Sequence, residues 1–403
     1  MKKVVSSLEI AGIVAEYNPF HTGHGWHVAE TRRLGATHIV AVMSGCYVQR
    51  GEPALWDKWV RTRAALLGGV DLVLELPLPY AAATAQRFAF GAVSILDALG
   101  VVDRLSFGSE CGDVALLSAA AEAILDSSVE QKTTQFLSEG ITYAAARQQA
   151  VSALYGQEVS TLLERPNNIL GIEYLAALRR LGSSIKPMTV TRMGAGHDSS
   201  AAGEHASASA LRALVSGGSF AEAERYLPEQ CRALYTRAWE EGACYLPPML
   251  ERPMLAALRR LTVEEISALP DISEGLENRI YTALRTAESV EGLLDAVKTK
   301  RYSHARLRRI LLCGFLGIPA GLTENAPPYI RILGMNDRGQ EILARVGRGG
   351  AVPISHSLLR LSEAGERQNT FAQLEAVADD LYGTLTGKVQ PCGRDYTNSI
   401  IKV

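Results

Sequence analysis

The sequence predicts an α/β fold with a mainly parallel sheet, and three observations carry that prediction. Short β-branched runs alternate with helical patterns through the first hundred residues. Polar or glycine-containing loops follow the runs at 17–24, 44–52, 76–80 and 108–113, the edge where such sheets bind ligands. From about residue 219 to 315 the alternation gives way to helix, and strand-like runs return only afterwards.

Each element has its own signal. "IAGIVAE" is a short strand, and a helical pattern runs from about Gly25 to Leu34. "THIVAVMSG" is a second strand ending at Gly45, and "DKWVRTRAALLGG" is a helix closed by glycines. "VDLVLELP", "AQRFAFGAVSILDALG" and "VDRLSFGSE" continue as strand, helix, strand. Residues 113–182 are mostly helical, "SIKPMTVTRM" returns to strand, and "SASALRALVS" starts a helix. "YIRILGMN" and "AVPISH" are strand-like around the helical "RGQEILARV", and "TFAQLEAVADDLYGTL" is a final helix. The expected organisation is a Rossmann-like first domain over 1–216 with a helical insertion at about 113–182. A helical, basic region over 217–325 and a small α+β region over 326–403 follow it.

Composition bounds the function. A chain of 403 residues suggests two or three domains, and 47% apolar residues with 21% charged supports packed cores. A formal net charge of −2 excludes a histone-like polycation but leaves room for a local basic patch. Lys2 and Lys3 are followed by Ser6, Ser7 and Glu9 rather than by the apolar core of a signal peptide. The longest apolar run, "ILLCGFLGIPAGL", is interrupted at Pro319, short of the roughly 18 residues a membrane helix needs. The six cysteines form no CxxC pair, so neither a zinc knuckle nor a redox motif is signalled. A cytoplasmic chain with reduced thiols and no membrane partner is expected, and its oligomeric state is left open.

The chemistry concentrates in "EYNPFHTGHGWHVAE", Glu16 to Glu30. It leaves a predicted strand and enters a predicted helix. If that helix starts near Thr22 or Gly23, the rings of His21 and His24 sit beside its first turn. There the unpaired N–H groups and the helix dipole favour an anion. Gly23 lets a nucleotide approach the backbone, and Pro19 stiffens the approach. A metal site would need a further ligand and usually an i, i+4 pair, and no carboxylate stands at that spacing. A solvated helix start with chance histidines is the plain alternative.

"HTGH" resembles the HxGH signature of nucleotidyltransferases and class I synthetases, and "SASALR", Ser207 to Arg212, resembles the ISxSxxR motif of the small nucleotidyltransferases. No KMSKS-like lysine loop is present. Together with "SGCYVQRGEPALWDKWVR", "DLVLELP", "FGSE", "RPNNILGIEYL", "GAGHD" and "KRYSHARLRRILL", these stretches resemble the bacterial tRNA(Met) cytidine acetate ligase family over almost the whole chain. The pattern departs from that family at Thr22 and Cys46, where asparagine is expected.

The resemblance implies an enzyme that uses ATP, accompanied by Mg²⁺, and acetate to make acetyl-adenylate. It then acetylates N4 of the wobble cytidine, C34, of elongator tRNA(Met), giving N4-acetylcytidine. It implies His21 and His24 as catalytic residues and a nucleotide cradle of Val14, Glu16, Tyr17, Asn18, Pro19, Phe20, His21, Gly23, His24 and His27. Gly108, Asn167 or Asn168, Arg192, Ser207, Ser209 and Arg212 complete the expected ATP contacts.

Three further segments admit two readings. Arg50, Glu52, Asp57, Lys58 and Arg61 open at the sheet's ligand edge, so they suit an anion or a tRNA end. Asp57 and Arg61 also have the spacing of a helix-surface ion pair. His197 and Asp198 either serve the site or shape a loop. Lys298, Lys300, Arg301, Arg306, Arg308 and Arg309 have no acid among them, and they suit the backbone of a structured RNA or a solvated helix face. Two other functions fit the motifs: a nucleotidyltransferase acting on a phosphorylated metabolite, and an RNA-binding protein with a degenerate nucleotide site.

Overall fold

A sheet of eight strands organises the molecule, in the order β10-β8-β5-β2-β1-β6-β7 with β9 beside β8. Its members are β1 (Ile10–Ala15), β2 (His38–Ser44), β5 (Leu72–Leu76), β6 (Arg104–Ser109), β7 (Lys186–Thr191), β8 (Ile330–Met335), β9 (Ile354–Ser355) and β10 (Ile401–Lys402). The short strands β3 (Tyr47–Val48) and β4 (Glu52–Pro53) form a separate hairpin. The computed structural model describes residues 8–191, 207–273, 275–300, 302–347 and 352–403.

The strands read as unbroken apolar runs because both faces are covered. In β2, Val40 and Val42 pack in one core with the helices Ala85–Ala98 and Pro166–Leu181. Ile39, Ala41 and Met43 face the other core, under α1 (Thr22–Arg33) and α2 (Lys58–Leu67). A third core joins the helices between Pro247 and Leu316. Among the described residues, no helix is long and apolar enough to cross a membrane. All six cysteines are free.

The centre of the sheet is parallel, as expected: β1 pairs with β2 and β6, β2 with β5, and β6 with β7. The segment beyond residue 326 does not stand apart as the sequence suggested. Its strand β8 pairs antiparallel with β5, and β10 pairs with β8. Sequence distance hid this, since some 250 residues separate edge strand β5 from the strand that covers it.

A buried ionic ladder fastens that return. The Lys58 Nζ lies 2.7 Å from Glu75 Oε1 and 2.6 Å from Asp395 Oδ1, and the Arg331 Nη1 lies 2.8 Å from Glu75 Oε2. All four side chains are essentially inaccessible. Burial alone would lower the Lys58 pKa, but Asp395 and Glu75 outweigh it and hold the ammonium above the ordinary lysine range. Lys58 is therefore held inside the protein, away from the surface at the ligand edge. Nor do Asp57 and Arg61 make the surface pair their spacing allows. Asp57 caps α2 by accepting from Val60 N and pairs with Arg394, while Arg61 is fully buried.

Candidate active site

The turn between β1 and α1 is assembled by its own side chains. His21 is the N-cap of α1, and its Nδ1 accepts from Gly23 N at 3.0 Å. His24 Nδ1 accepts from His21 N at 3.3 Å, closing a reciprocal capping box made of two imidazoles. A ring whose Nδ1 accepts must carry its proton on Nε2. In both rings Nδ1 is thus engaged by the backbone of the turn itself. The two rings lie 4.0 Å apart, centroid to centroid. A Cβ on residue 23 would stand 2.8 Å from His21 Cε1, so glycine is needed for the cap itself. The helix starts at Thr22, three residues before the apolar pattern that locates it in the sequence.

The rest of the cradle splits into floor and wall. Tyr17 and Phe20 are buried, 4.9 Å apart, and Tyr17 stands edge-on to His24 at 5.0 Å. They fix the imidazole from beneath. Asn18 accepts from Leu55 N at 2.7 Å, which ties the turn to the segment before α2. Pro19 follows a cis peptide bond and is buried. Val14 lies in β1 opposite Val42. His27, expected in the cradle, hydrogen-bonds Ser106 of β6 at 3.0 Å, and Ser106 in turn meets Thr31 at 2.7 Å. Among the described residues, His21, His24 and His27 belong to no cluster of potential metal ligands.

The two motifs named from the sequence meet here. Ser207 caps the helix Ala208–Ser216, and Arg212 on that helix donates to the Asn18 carbonyl at 2.9 Å. Arg212 also donates to Ser209 Oγ at 3.1 Å and stands 3.5 Å from Glu52. Burial lowers the Arg212 pKa, while Glu52 and Glu16 oppose that shift. Burial raises the Glu16 carboxyl, against the Gln49 N–H it accepts and the charges of Arg50 and Arg212. Arg50 is exposed at the tip of the β3–β4 hairpin. Gly51 beside it has φ +80°, and its Cα lies so close to Arg308 and Arg309 that a Cβ would meet the Arg309 N at 2.7 Å. The hairpin thus touches Glu16 at the β1–α1 turn, Arg212 and the basic helix.

On the β6 side, Gly108 stands two residues beyond the Ser106–Ile13 pair, level with the end of β1. Asn168 Oδ1 accepts from Glu110 N at 2.9 Å and Cys111 N at 3.2 Å, and its side chain is buried. The Glu110 carboxylate in turn accepts from Asn167 Nδ2 at 2.7 Å and from Asn168 N at 2.8 Å. Of the two asparagines, Asn168 is the clamp and Asn167 the more open. Sequence reasoning overlooked Glu110, because nothing local shows that it caps a helix starting 56 residues later. Arg192, His197 and Asp198 lie outside the described residues.

The strip from Lys298 to Arg309 has partners the sequence did not show. Arg306 donates to the Asp271 carbonyl at 3.2 Å and to Ser273 Oγ at 2.9 Å, with its guanidinium over Tyr302. Arg308 pairs with Glu291 at 3.3 Å, and Arg309 with Asp271 at 3.7 Å. The acids come from neighbouring elements, so the absence of acid within the strip did not mean free charge. Lys298 and Lys300 remain exposed, and Arg301 lies outside the described residues.

A parallel sheet with an HxGH turn and a serine-arginine helix closing over its ligand edge defines a nucleotidyl transferase. A family model described as HIGH nucleotidyl transferase matches residues 8–397. Within that class the chain belongs to the tRNA(Met) cytidine acetate ligase family. It is 38% identical to the tRNA(Met) cytidine acetate ligase of Thermoanaerobacter sp. (strain X514), over 98% of this chain and 100% of the relative. It is 35% identical to that of Acetivibrio thermocellus, with the same two coverages. A crystal structure of Thermotoga maritima TmcAL bound with alpha-thio ATP superposes with a TM-score of 0.91 at 32% identity, covering 98% of this chain and all of that one.

Proposed function

We propose that this chain is an ATP-dependent acetate ligase that forms acetyl-adenylate and acetylates N4 of the wobble cytidine of elongator tRNA(Met). The observation that carries the reading is the closure of the SASALR helix on the HTGH turn through Arg212 and the Asn18 carbonyl. In the first step an acetate oxygen attacks the α-phosphorus of ATP, and pyrophosphate leaves. Acetate is already an anion, so no general base is required. The site must instead hold two anions together. The Nε2–H groups of His21 and His24, the α1 N-terminus and Arg212 supply fixed donors and positive potential for the triphosphate. Mg²⁺, where it accompanies ATP, adds charge neutralisation, and Glu16 and Glu52 are the carboxylates that flank the seat.

In the second step the cytosine N4 amine attacks the acetyl carbonyl, AMP leaves, and the amine loses a proton. That nitrogen's lone pair is delocalised into the ring, so it reacts only with an activated acyl group. A splayed-out cytidine must enter the cleft; Arg50 offers exposed positive charge near it, and Lys298 with Lys300 offer exposed charge on the basic strip. The setting is cytoplasmic. The test is mass spectrometry of tRNA nucleosides after incubation with ATP, labelled acetate and bulk tRNA. Label in N4-acetylcytidine is expected. ATP turnover without label in tRNA would point to a metabolite nucleotidyltransferase.

A further inference from the structure

Arg61 is a buried charged side chain of this region that the mechanism leaves unused. It is fully buried, yet among the described residues no carboxylate pairs with it. Its guanidinium instead donates to four backbone carbonyls. Nε reaches Trp56 O at 2.9 Å. Nη1 reaches Glu16 O at 2.6 Å and Ser44 O at 3.1 Å, and Nη2 reaches Gly45 O.

These carbonyls mark particular places. Glu16 is the first residue after β1, while Ser44 ends β2 and Gly45 follows it. The two strands are parallel neighbours, and their pairing stops at Ala15–Met43. Beyond that point the ladder no longer holds the chains together, and the guanidinium takes over. Trp56, just before α2, anchors it from the third side. A planar trans peptide points its N–H opposite to its C=O. Drawing these carbonyls inward therefore turns the N–H groups of Tyr17, Gly45 and Cys46 away from the guanidinium. Tyr17 holds φ at +47°, a conformation a non-glycine residue keeps only when its surroundings fix it. The fixed Glu16 carbonyl is one such restraint.

We infer that Arg61 is a positioning residue for adenylate formation: it sets the spacing of the two strand-end turns between which the nucleotide is seated. The inference rests on the ATP-dependent reading above. Lysine has a compact ammonium and no planar fork, so it cannot span four carbonyls.

The experiment compares the full-length parent with Arg61→Lys and Arg61→Ala. It measures ATP binding by calorimetry, acetate-dependent ATP–pyrophosphate exchange, tRNA binding and thermal unfolding. The expected result for Arg61→Lys is a folded protein with ATP binding weakened roughly 10–100-fold, the scale on which small misplacements act, and unchanged tRNA affinity. Millimolar guanidinium should restore part of the ATP binding of Arg61→Ala. Unchanged ATP binding in Arg61→Lys overturns the inference. So does a parallel loss of ATP binding, tRNA binding and thermal stability that guanidinium does not reverse, since that is the mark of a merely structural arginine. If the parent binds ATP but shows no acetate-dependent exchange, the acetate reading fails, and the ATP-binding comparison still decides Arg61.

Discussion

The turns after β1 and β2 leave the same sheet edge side by side, yet they handle polarity in opposite ways. After β1 the functional groups are imidazoles, His21 buried and His24 partly open, with their Nδ1 atoms caught by backbone N–H groups. After β2 they are full charges, Lys58 and Arg61, buried and bound to carboxylates or carbonyls of the protein itself. By sequence the second turn carries more formal positive charge, in Arg50, Lys58 and Arg61, and suits an anion as well. At the second turn the formal charges of Lys58 and Arg61 are spent on partners inside the protein. An N–H with a fixed direction can serve an arriving phosphate better than a cation already in use.

The sharpest way to break this comparison is at the imidazoles. Replacing His21 and His24 together with alanine should cost ATP–pyrophosphate exchange at least the roughly 10²–10³-fold that one lost oxyanion donor costs. Folding should persist, because a lost N-cap costs only about 1 kcal/mol. Exchange that survives the double replacement would show that the nucleotide sits elsewhere.

The buried cations should respond in the other sense. Lys58→Met leaves Arg331 as the one cation beside the buried Glu75 and Asp395 among the described residues, so urea denaturation should show a loss of about 3–5 kcal/mol. Whatever activity the folded fraction retains should keep the parent's ATP KM. A raised KM with unchanged stability would make Lys58 a ligand contact.

A smaller effect belongs to Glu375, a buried neighbour of this ladder that accepts from Leu78 N. Burial first, and the charge of Glu75 second, raise its pKa well above the usual carboxylate range. The folded state then keeps a proton that the unfolded state has lost. Stability should therefore fall as pH rises from the unfolded glutamate value of about 4.3 toward the folded one. Glu375→Gln should flatten that decline, with the larger gain in melting temperature at pH 8 than at pH 5. An unchanged pH profile would place a compensating charge beside it.

The smallest effects are expected on the basic strip. Lys298→Ala and Lys300→Ala should each lower the salt dependence of tRNA binding by about one counterion with no change in melting temperature. Arg306→Ala should instead lower thermal stability, since its guanidinium holds the Asp271 carbonyl and Ser273. If the arginine and the lysines exchange these signatures, the distinction between claimed and unclaimed charge fails on this surface.

Much of the site was legible for a plain reason. HTGH and SASALR are local: a cap, its glycine and a serine-arginine turn lie within a few residues, and their meaning needs only the helix that follows. The strand-helix alternation was equally legible, because strands covered on both faces must be apolar throughout. What the sequence hid was contact between distant segments. That His27 also meets Ser106, 79 residues away, could not be read from the sequence. Asn167 and Asn168 could not be told apart without Glu110.

By itself the sequence determined the class of fold, the helix start after the first strand and the two motifs that meet there. These follow from periodicity, capping and glycine placement, which act over a few residues. Only the tertiary structure decided which charges are available. It placed residues 330–335 and 401–402 in the first domain's sheet, buried Lys58 and Arg61 beneath the ligand edge, and covered the arginine strip with acids from a neighbouring helix and turn. The reason is physical: whether a charge faces solvent or a partner depends on which distant groups the fold brings within a few ångströms, and no local pattern encodes that.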